Sequence, residues 1–286
     1  MRRGLLIWLG ILLCMPVATA QTVTYDKADS LCITSLLKES RTDVLFFARK
    51  FLGRPYVAHT LEVNDAERLV VNTRQLDCTT LVETVTALTL CALHGQTGFD
   101  DYQRQLRQLR YRQGRLDGYT SRLHYFSDWI GDKQQMGLVT DVLSKDTEDR
   151  RLEAVGLKWQ TVKVDYMSKH PQAYKSLKNH PEQVKTISSQ EKALTGLRCR
   201  YIPKEKVRNT AALRKVVADG DIIAITTSKP GLDIAHLGFA VWRKDGLHLL
   251  NASQLHKKVV EEPMTLGQYL SKHPSHTGIR VVRINQ

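Results

Sequence analysis

A single cysteine placement and a single histidine placement constrain this chain more than any other feature. Asp77-Cys78-Thr79-Thr80 runs directly into an apolar stretch with helical spacing, whereas Ala235-His236-Leu237-Gly238 lies far downstream on a stretch that alternates like a strand. A thiol at a helix start and an imidazole on a distant strand are the two halves of an activated cysteine nucleophile and its base. Any fold that joins them must bring helices from the first part of the chain onto a sheet from the last part.

The patterning agrees with that demand. From Lys27 to Leu52 apolar residues recur at helical spacing (Leu36, Leu37, Val44, Phe47, Phe51), which predicts two helices broken near Ser40. Gly53-Arg54-Pro55-Tyr56 ends this region, and a short extended piece at Leu69-Val70-Val71 precedes the cysteine. Leu81, Val85, Leu88 and Ala92 then share one helix face up to Gly95, and further helices are expected over Asp100 to Arg110 and Leu123 to Lys133. Strands follow at Asp221 to Thr227, Ala235 to Arg243, Leu247 to Asn251 and Gly278 to Ile284, with Lys244-Asp245-Gly246 as a hairpin turn. The expected fold class is α+β, with N-terminal helices packed on a C-terminal antiparallel sheet. Residues 141–213 are polar and lack clear alternation; within one catalytic domain spanning 21–286 they read either as an insertion that shapes a substrate cleft or as decoration of the core, with a helix near Asp165 to Leu177 and a long excursion around His180 to Leu194.

Residues 1–20 carry Arg2 and Arg3, an apolar core from Leu5 to Met15 and a small-residue site at Ala18-Thr19-Ala20, which is the form of a cleaved secretory signal. The expected location is therefore periplasmic or secreted. The apolar run is shorter than the ~20 residues of a membrane span, and no stable membrane anchor is expected. Removing Arg2 and Arg3 takes the net charge from +13 to +11, a balance that suits an anionic partner. The basic residues are scattered with few aromatics between them, so nucleic acid is not expected as a ligand. After processing, Cys32, Cys78, Cys91 and Cys199 remain, too few for a disulfide framework in so long a chain. Protein partners are left open by the sequence.

Cys78 falls within the first turn of its helix, with Asp77 or Thr80 as the N-cap and Thr80 with Glu83 matching a capping box. The unpaired amides and partial positive charge of a helix N-terminus favour a thiolate and offer an oxyanion site. Pairing across the hairpin brings Asn251 toward His236, where its amide oxygen can accept the imidazole Nδ1–H; Asp233 is an alternative orienter, and His248 and His256 read as surface residues. The chain has no His-Glu-x-x-His, no Cys-x-x-Cys and no compact His/Asp cluster, so neither metal nor other cofactor is expected.

Taken together, Gly53-Arg54-Pro55-Tyr56, Asp77-Cys78-Thr79-Thr80, Ala235-His236-Leu237-Gly238-Phe239 and Leu250-Asn251-Ala252 resemble the motif series of the papain-like NlpC/p60 cysteine hydrolases. The stretches Tyr56 to Glu62, Leu76 to Glu83 and Ser121 to Trp129 are similar to the N-acetylmuramoyl-L-alanine amidase-like branch. The resemblance implies a cysteine amidase acting on peptidoglycan fragments at the bond between the muramic acid lactyl group and L-Ala, with anhydromuropeptides favoured. It implies Cys78 as nucleophile, His236 as base, Asn251 as orienter and Tyr56 as a contact to substrate or oxyanion. The chain departs from many members in having Thr79-Thr80 after the cysteine and Asn251 as the third residue.

Thr79, Arg122, His124, Tyr125, Asp128 and Trp129 are the candidates for the substrate wall: flat rings for a sugar and Arg122 for a carboxylate. The competing reading makes Tyr125 and Trp129 core and pairs Arg122 with Asp128. Two alternative functions stay open, a γ-D-glutamyl-diamino acid endopeptidase of the same superfamily and a non-catalytic peptidoglycan-binding protein.

Overall fold

The computed structural model describes residues 23–144 and 150–286; the signal segment expected over 1–20 lies outside them. The helices are α1 (Lys27–Leu37), α2 (Val44–Arg49), α3 (Cys78–Leu93), α4 (Phe99–Arg110), α5 (Phe126–Gln135), α6 (Arg150–Glu153), α7 (Tyr166–Lys169), α8 (Pro181–Leu194), α9 (Ala211–Val216) and α10 (Leu266–Ser271). The strands are β1 (Val139–Asp141), β2 (Lys158–Thr161), β3 (Arg198–Pro203), β4 (Ile222–Thr227), β5 (Ile234–Trp242), β6 (Leu247–Ser253), β7 (Lys258–Glu261) and β8 (His276–Ile284). This is the expected mixture of early helices and a late antiparallel sheet. The break near Ser40 is present, with Ser40 in the left-handed region and Asp43 capping α2 through Phe46 N.

The strands form one sheet in the order β2-β3-β8-β4-β5-β6-β7, and β1 pairs with β8 off this path. Every ladder among the described strands is antiparallel. Both faces are covered. Leu237, Phe239, Leu250 and Val282 join the core with α1 to α5, whereas Ile223, Ile225, Leu249 and Val281 join a second core with α9 and α10. Such two-sided burial is why β4 reads as an unbroken apolar run rather than an alternation. At the centre of the first core, α3 is buried from Thr80 to Cys91, the polar Glu83 and four threonines included.

Two expectations for residues 141–213 are corrected. His180 to Leu194 is not an excursion: Pro181 starts the regular helix α8, its preset φ and missing N–H suiting the first helical position. Only Tyr166–Lys169 and a 3-10 turn at Pro171–Ala173 form in place of the longer helix expected up to Leu177. The segment is also more than decoration, because β3 docks on the central strand through Ile202↔Ile279 and Pro203↔Gly278. A third cluster, including Tyr119, Tyr125, Met167, Leu177 and Ile187, ties it to the α5 region.

Candidate active site

Asp77 is the N-cap that makes Cys78 the first residue of α3. Its Oδ1 accepts from Thr80 N at 2.8 Å, and Asp77 N donates to Thr80 Oγ1 at 2.9 Å. The capping box is therefore Asp77 with Thr80, not Thr80 with Glu83. Glu83 turns inward instead and pairs with buried Arg110 at 2.7 Å, since a carboxylate on the buried face of α3 needs a cation. Cys78 is half-buried, and the Leu237 backbone reaches its sulfur, so helix start and β5 meet at the thiol. Burial, helped by the Asp77 charge, outweighs the hydrogen bonds to the sulfur and pushes the thiol pKa up to about 12.

On the other side of the site, the hairpin between β5 and β6 closes with Trp242↔Leu247 and runs to Phe239↔Leu250. Alternation along the two strands puts His236, Gly238 and Ala240 on the same face as Leu249 and Asn251. Side-chain space beside Gly238 is already occupied: a Cβ there would meet Leu250 O at 2.6 Å and Leu249 Cγ at 2.8 Å. Glycine at this position accommodates β6, rather than leaving room for the imidazole.

His236 and Asn251 are joined at 2.9 Å, as expected, but through Nε2 and not Nδ1. Both residues lie just beyond the paired part of the two strands, and Nε2, the ring nitrogen farther from the backbone, is the one that reaches Oδ1. Burial lowers the His236 pKa, although Asn251, Glu262 and Asp77 each oppose the shift. Burial thus works against charge on the thiol and on the imidazole alike. Asp233 does not touch the ring; its carboxylate caps α5 through Ser127 N at 2.6 Å. His248 is not a surface residue. It is buried, with Nδ1 at 2.9 Å from Glu262 O and Nε2 at 3.0 Å from Asp245 Oδ1, because its strand is covered on both faces.

A cavity of about 260 Å³ opens beside this pair. Cys78, Thr79 and His236 line it together with Glu83, His124, Tyr125, Trp129 and Asp233. His124 bonds Tyr119 O through Nε2 at 3.1 Å, and burial next to Arg122 lowers its pKa to about 3. Trp129 stacks on Phe126, and Tyr125 OH donates to Glu191 of α8 at 2.7 Å, so these rings are both core and wall. Tyr56 is absent from the lining. It pairs with Leu76 in a β-bridge, close enough to Cys78 and Asp77 that their charges add to burial in raising its pKa.

Two expected wall residues are elsewhere. Arg122 is buried and held by Glu62 and Glu67 at 2.7 Å each, and Asp128 pairs with Arg112 at 2.5 Å. Arg122 and Asp128 thus do not pair with each other, nor does either line the cavity. Met167 and Tyr174 from the insertion also line the cavity. No local pattern marks them; their place follows from Glu191, which accepts from Tyr125 OH and from Met167 and Ser168 N and so anchors α7 beside α5.

Residues 46–279 match the family described as AmiA-like, N-acetylmuramoyl-L-alanine amidase-like. Among solved structures, an N-acetylmuramoyl-L-alanine amidase from Bacteroides uniformis is 41% identical, with a TM-score of 0.77 over 87% of this chain and 100% of that one. A candidate xylanase from Bacteroides fragilis is 43% identical, with a TM-score of 0.76 over 84% of this chain and all of that one, 100%. A Legionella pneumophila protein of the DUF1460 family shares the fold at 20% identity, with a TM-score of 0.70 over 91% of this chain and 95% of the other. No curated protein matches the chain. With four-fifths of its length inside the family match, the chain belongs to the AmiA-like, N-acetylmuramoyl-L-alanine amidase-like family.

Proposed function

We propose that this protein is a papain-like cysteine amidase of the NlpC/p60 type. Its reaction is cleavage of the bond between the lactyl carbonyl of N-acetylmuramic acid and L-Ala in peptidoglycan fragments. The observation that carries the reading is that a helix-start thiol, Cys78, and His236 line one cavity, with Asn251 bonded to the imidazole from behind. In this mechanism the neutral imidazole takes the thiol proton as Sγ attacks the carbonyl carbon. The C–N bond breaks, and the proton passes from His236 to the departing L-Ala amine. Water, activated by the same imidazole, then hydrolyses the thioester. Amides of the first turn of α3 are suited to the oxyanion, although Thr80 N is already committed to Asp77. Tyr56, beside Cys78, is a second donor for that oxygen or for substrate.

The xylanase description of one relative raises a glycosidase reading, which needs two available carboxyl groups flanking the scissile bond. The carboxylates on this cavity are Glu83 and Asp233. Arg110 holds the first, and the second caps α5. That favours amide chemistry. The ring-rich wall suits a sugar, and anhydromuropeptides are the fragments proposed as preferred. The expected signal segment supports action outside the cytoplasm, and no helix among the described residues is long and apolar enough to cross a membrane.

Digestion of defined muropeptides by the wild type and by Cys78→Ala, followed by mass analysis, tests this reading. A released peptide beginning with L-Ala, formed by the wild type alone, supports it. A free L-Ala-D-Glu end points to the endopeptidase, and turnover by Cys78→Ala removes the cysteine mechanism. Binding without turnover by the wild type would support the non-catalytic alternative.

A further inference from the structure

Behind the His236–Asn251 contact the hydrogen bonds continue inward. Asn251 is wholly buried, and its Nδ2 donates to Glu262 Oε1 at 3.1 Å and to Leu249 O at 3.4 Å. Glu262, only 1% exposed, directly follows β7. Its second oxygen accepts from His256 Nε2 at 3.1 Å. The Glu262 backbone is pinned as well, donating to Leu249 O at 2.8 Å and meeting His248 Nδ1 through its own carbonyl at 2.9 Å.

These contacts leave one orientation open to the Asn251 amide. A carboxylate and a carbonyl can only accept, so the NH₂ end must face Glu262 and Leu249, and a flipped amide would set three oxygens against one another. Oδ1 is thereby turned to His236. Since that oxygen can only accept, the ring nitrogen facing it carries the proton. The neutral ring is then the Nε2–H tautomer, with the Nδ1 lone pair left to act as a base. We infer that Glu262 is a positioning residue of this site, fixing the His236 tautomer through Asn251. The inference rests on the reading of His236 as the base. Glu262 does not line the cavity, so its effect on turnover passes through Asn251 and not through substrate.

Glu262→Gln tests it with almost no change of shape. A glutamine amide can donate to Asn251 while its oxygen still accepts from His256, so the flipped Asn251 becomes tolerable. The expected result is a fall in kcat of about 10- to 100-fold, the loss of one charge-assisted hydrogen bond, with KM little changed. Proton–nitrogen spectra of protein carrying ¹⁵N-histidine should show the neutral His236 ring as Nε2–H in the wild type and partly or wholly as Nδ1–H in Glu262→Gln. The resonances are assigned by their loss in His236→Gln. A purely structural Glu262 would lower the melting temperature and leave the tautomer alone. An Nδ1–H ring in the wild type overturns the inference whether or not the variant folds, and so does a variant that keeps both tautomer and kcat. Should the wild type cleave no muropeptide, the amidase reading fails while the spectra still decide the role of Glu262.

Discussion

Replacing Gly238 by alanine applies a small, directed stress to the strands that carry His236 and Asn251. The new Cβ would lie 2.6 Å from Leu250 O and 2.8 Å from Leu249 Cγ, so reaching ordinary contact near 3.4 Å takes a shift of about 0.8 Å. The nearest obstacle is backbone, and it belongs to a ladder fixed by Phe239↔Leu250 and Ala240↔Leu249, so a rotamer change cannot relieve it. Overpacking of this kind costs about 1–3 kcal/mol, and an unyielding carbonyl places the cost at about 2–3 kcal/mol. For a chain of this size that lowers Tm by about 4–12 °C. The same displacement stretches the 2.9 Å His236–Asn251 contact beyond hydrogen-bond range. With His236 as the proposed base, misplacement approaching 1 Å costs on the order of 100-fold in rate. Thermal unfolding and the initial rate of muropeptide cleavage measure the two effects separately. Wild-type kcat with a Tm shift under about 1 °C would refute the argument, because β5 and β6 could not then be as close as described.

Arg122→Ala should lower stability by about 3–5 kcal/mol, since it strands the buried Glu67 without its cation; what protein remains folded should keep its KM. A raised KM at unchanged Tm would return Arg122 to the substrate wall. Acid should destabilise the fold through His124 and His276, whose pKa values are depressed to about 3 and about 4, mainly by burial. The unfolded chain binds protons that the folded one refuses, so stability is full above about pH 6.5 and falls toward pH 4, by up to about 1.4 kcal/mol per unit for each ring. His124→Gln should flatten the decline of Tm between pH 6 and 4, and an unchanged slope would contradict the burial of that ring.

What could be read without the structure was what local chemistry determines. The Cys78 helix start follows from Asp77 and Thr80, whose side chains cap their own turn. The approach of Asn251 to His236 follows from the Lys244-Asp245-Gly246 turn, which sets the register of the two strands. The ring nitrogen was misread because turn chemistry gives register but not the reach across it. Arg122 was misread because Glu62 and Glu67 lie far away in sequence, and their approach is a property of the finished fold. Strand β3 escaped notice for a similar reason: Arg198 and Arg200 break its apolar pattern, and only Ile202 and Pro203 reach the central strand. His248 looked exposed because an alternating strand normally has one wet face, and β6 has none.

The place of β8 has a consequence for how the protein comes into being. The last strand along the chain lies between β3 and β4 and also holds β1, so segments far apart in sequence are joined only through it. Such non-local pairing folds slowly, because long loops must close before their contacts form. Until β8 arrives, β4 has a bare edge, and Ile223 and Ile225 lack the neighbours that complete their core. A growing chain can form α3 early and present Cys78 at its tip, yet the His236–Asn251 arm has no firm backing until the final strand is inserted. The assembled pair is thus a late product of folding, and a nascent chain carries a thiol long before it carries a site.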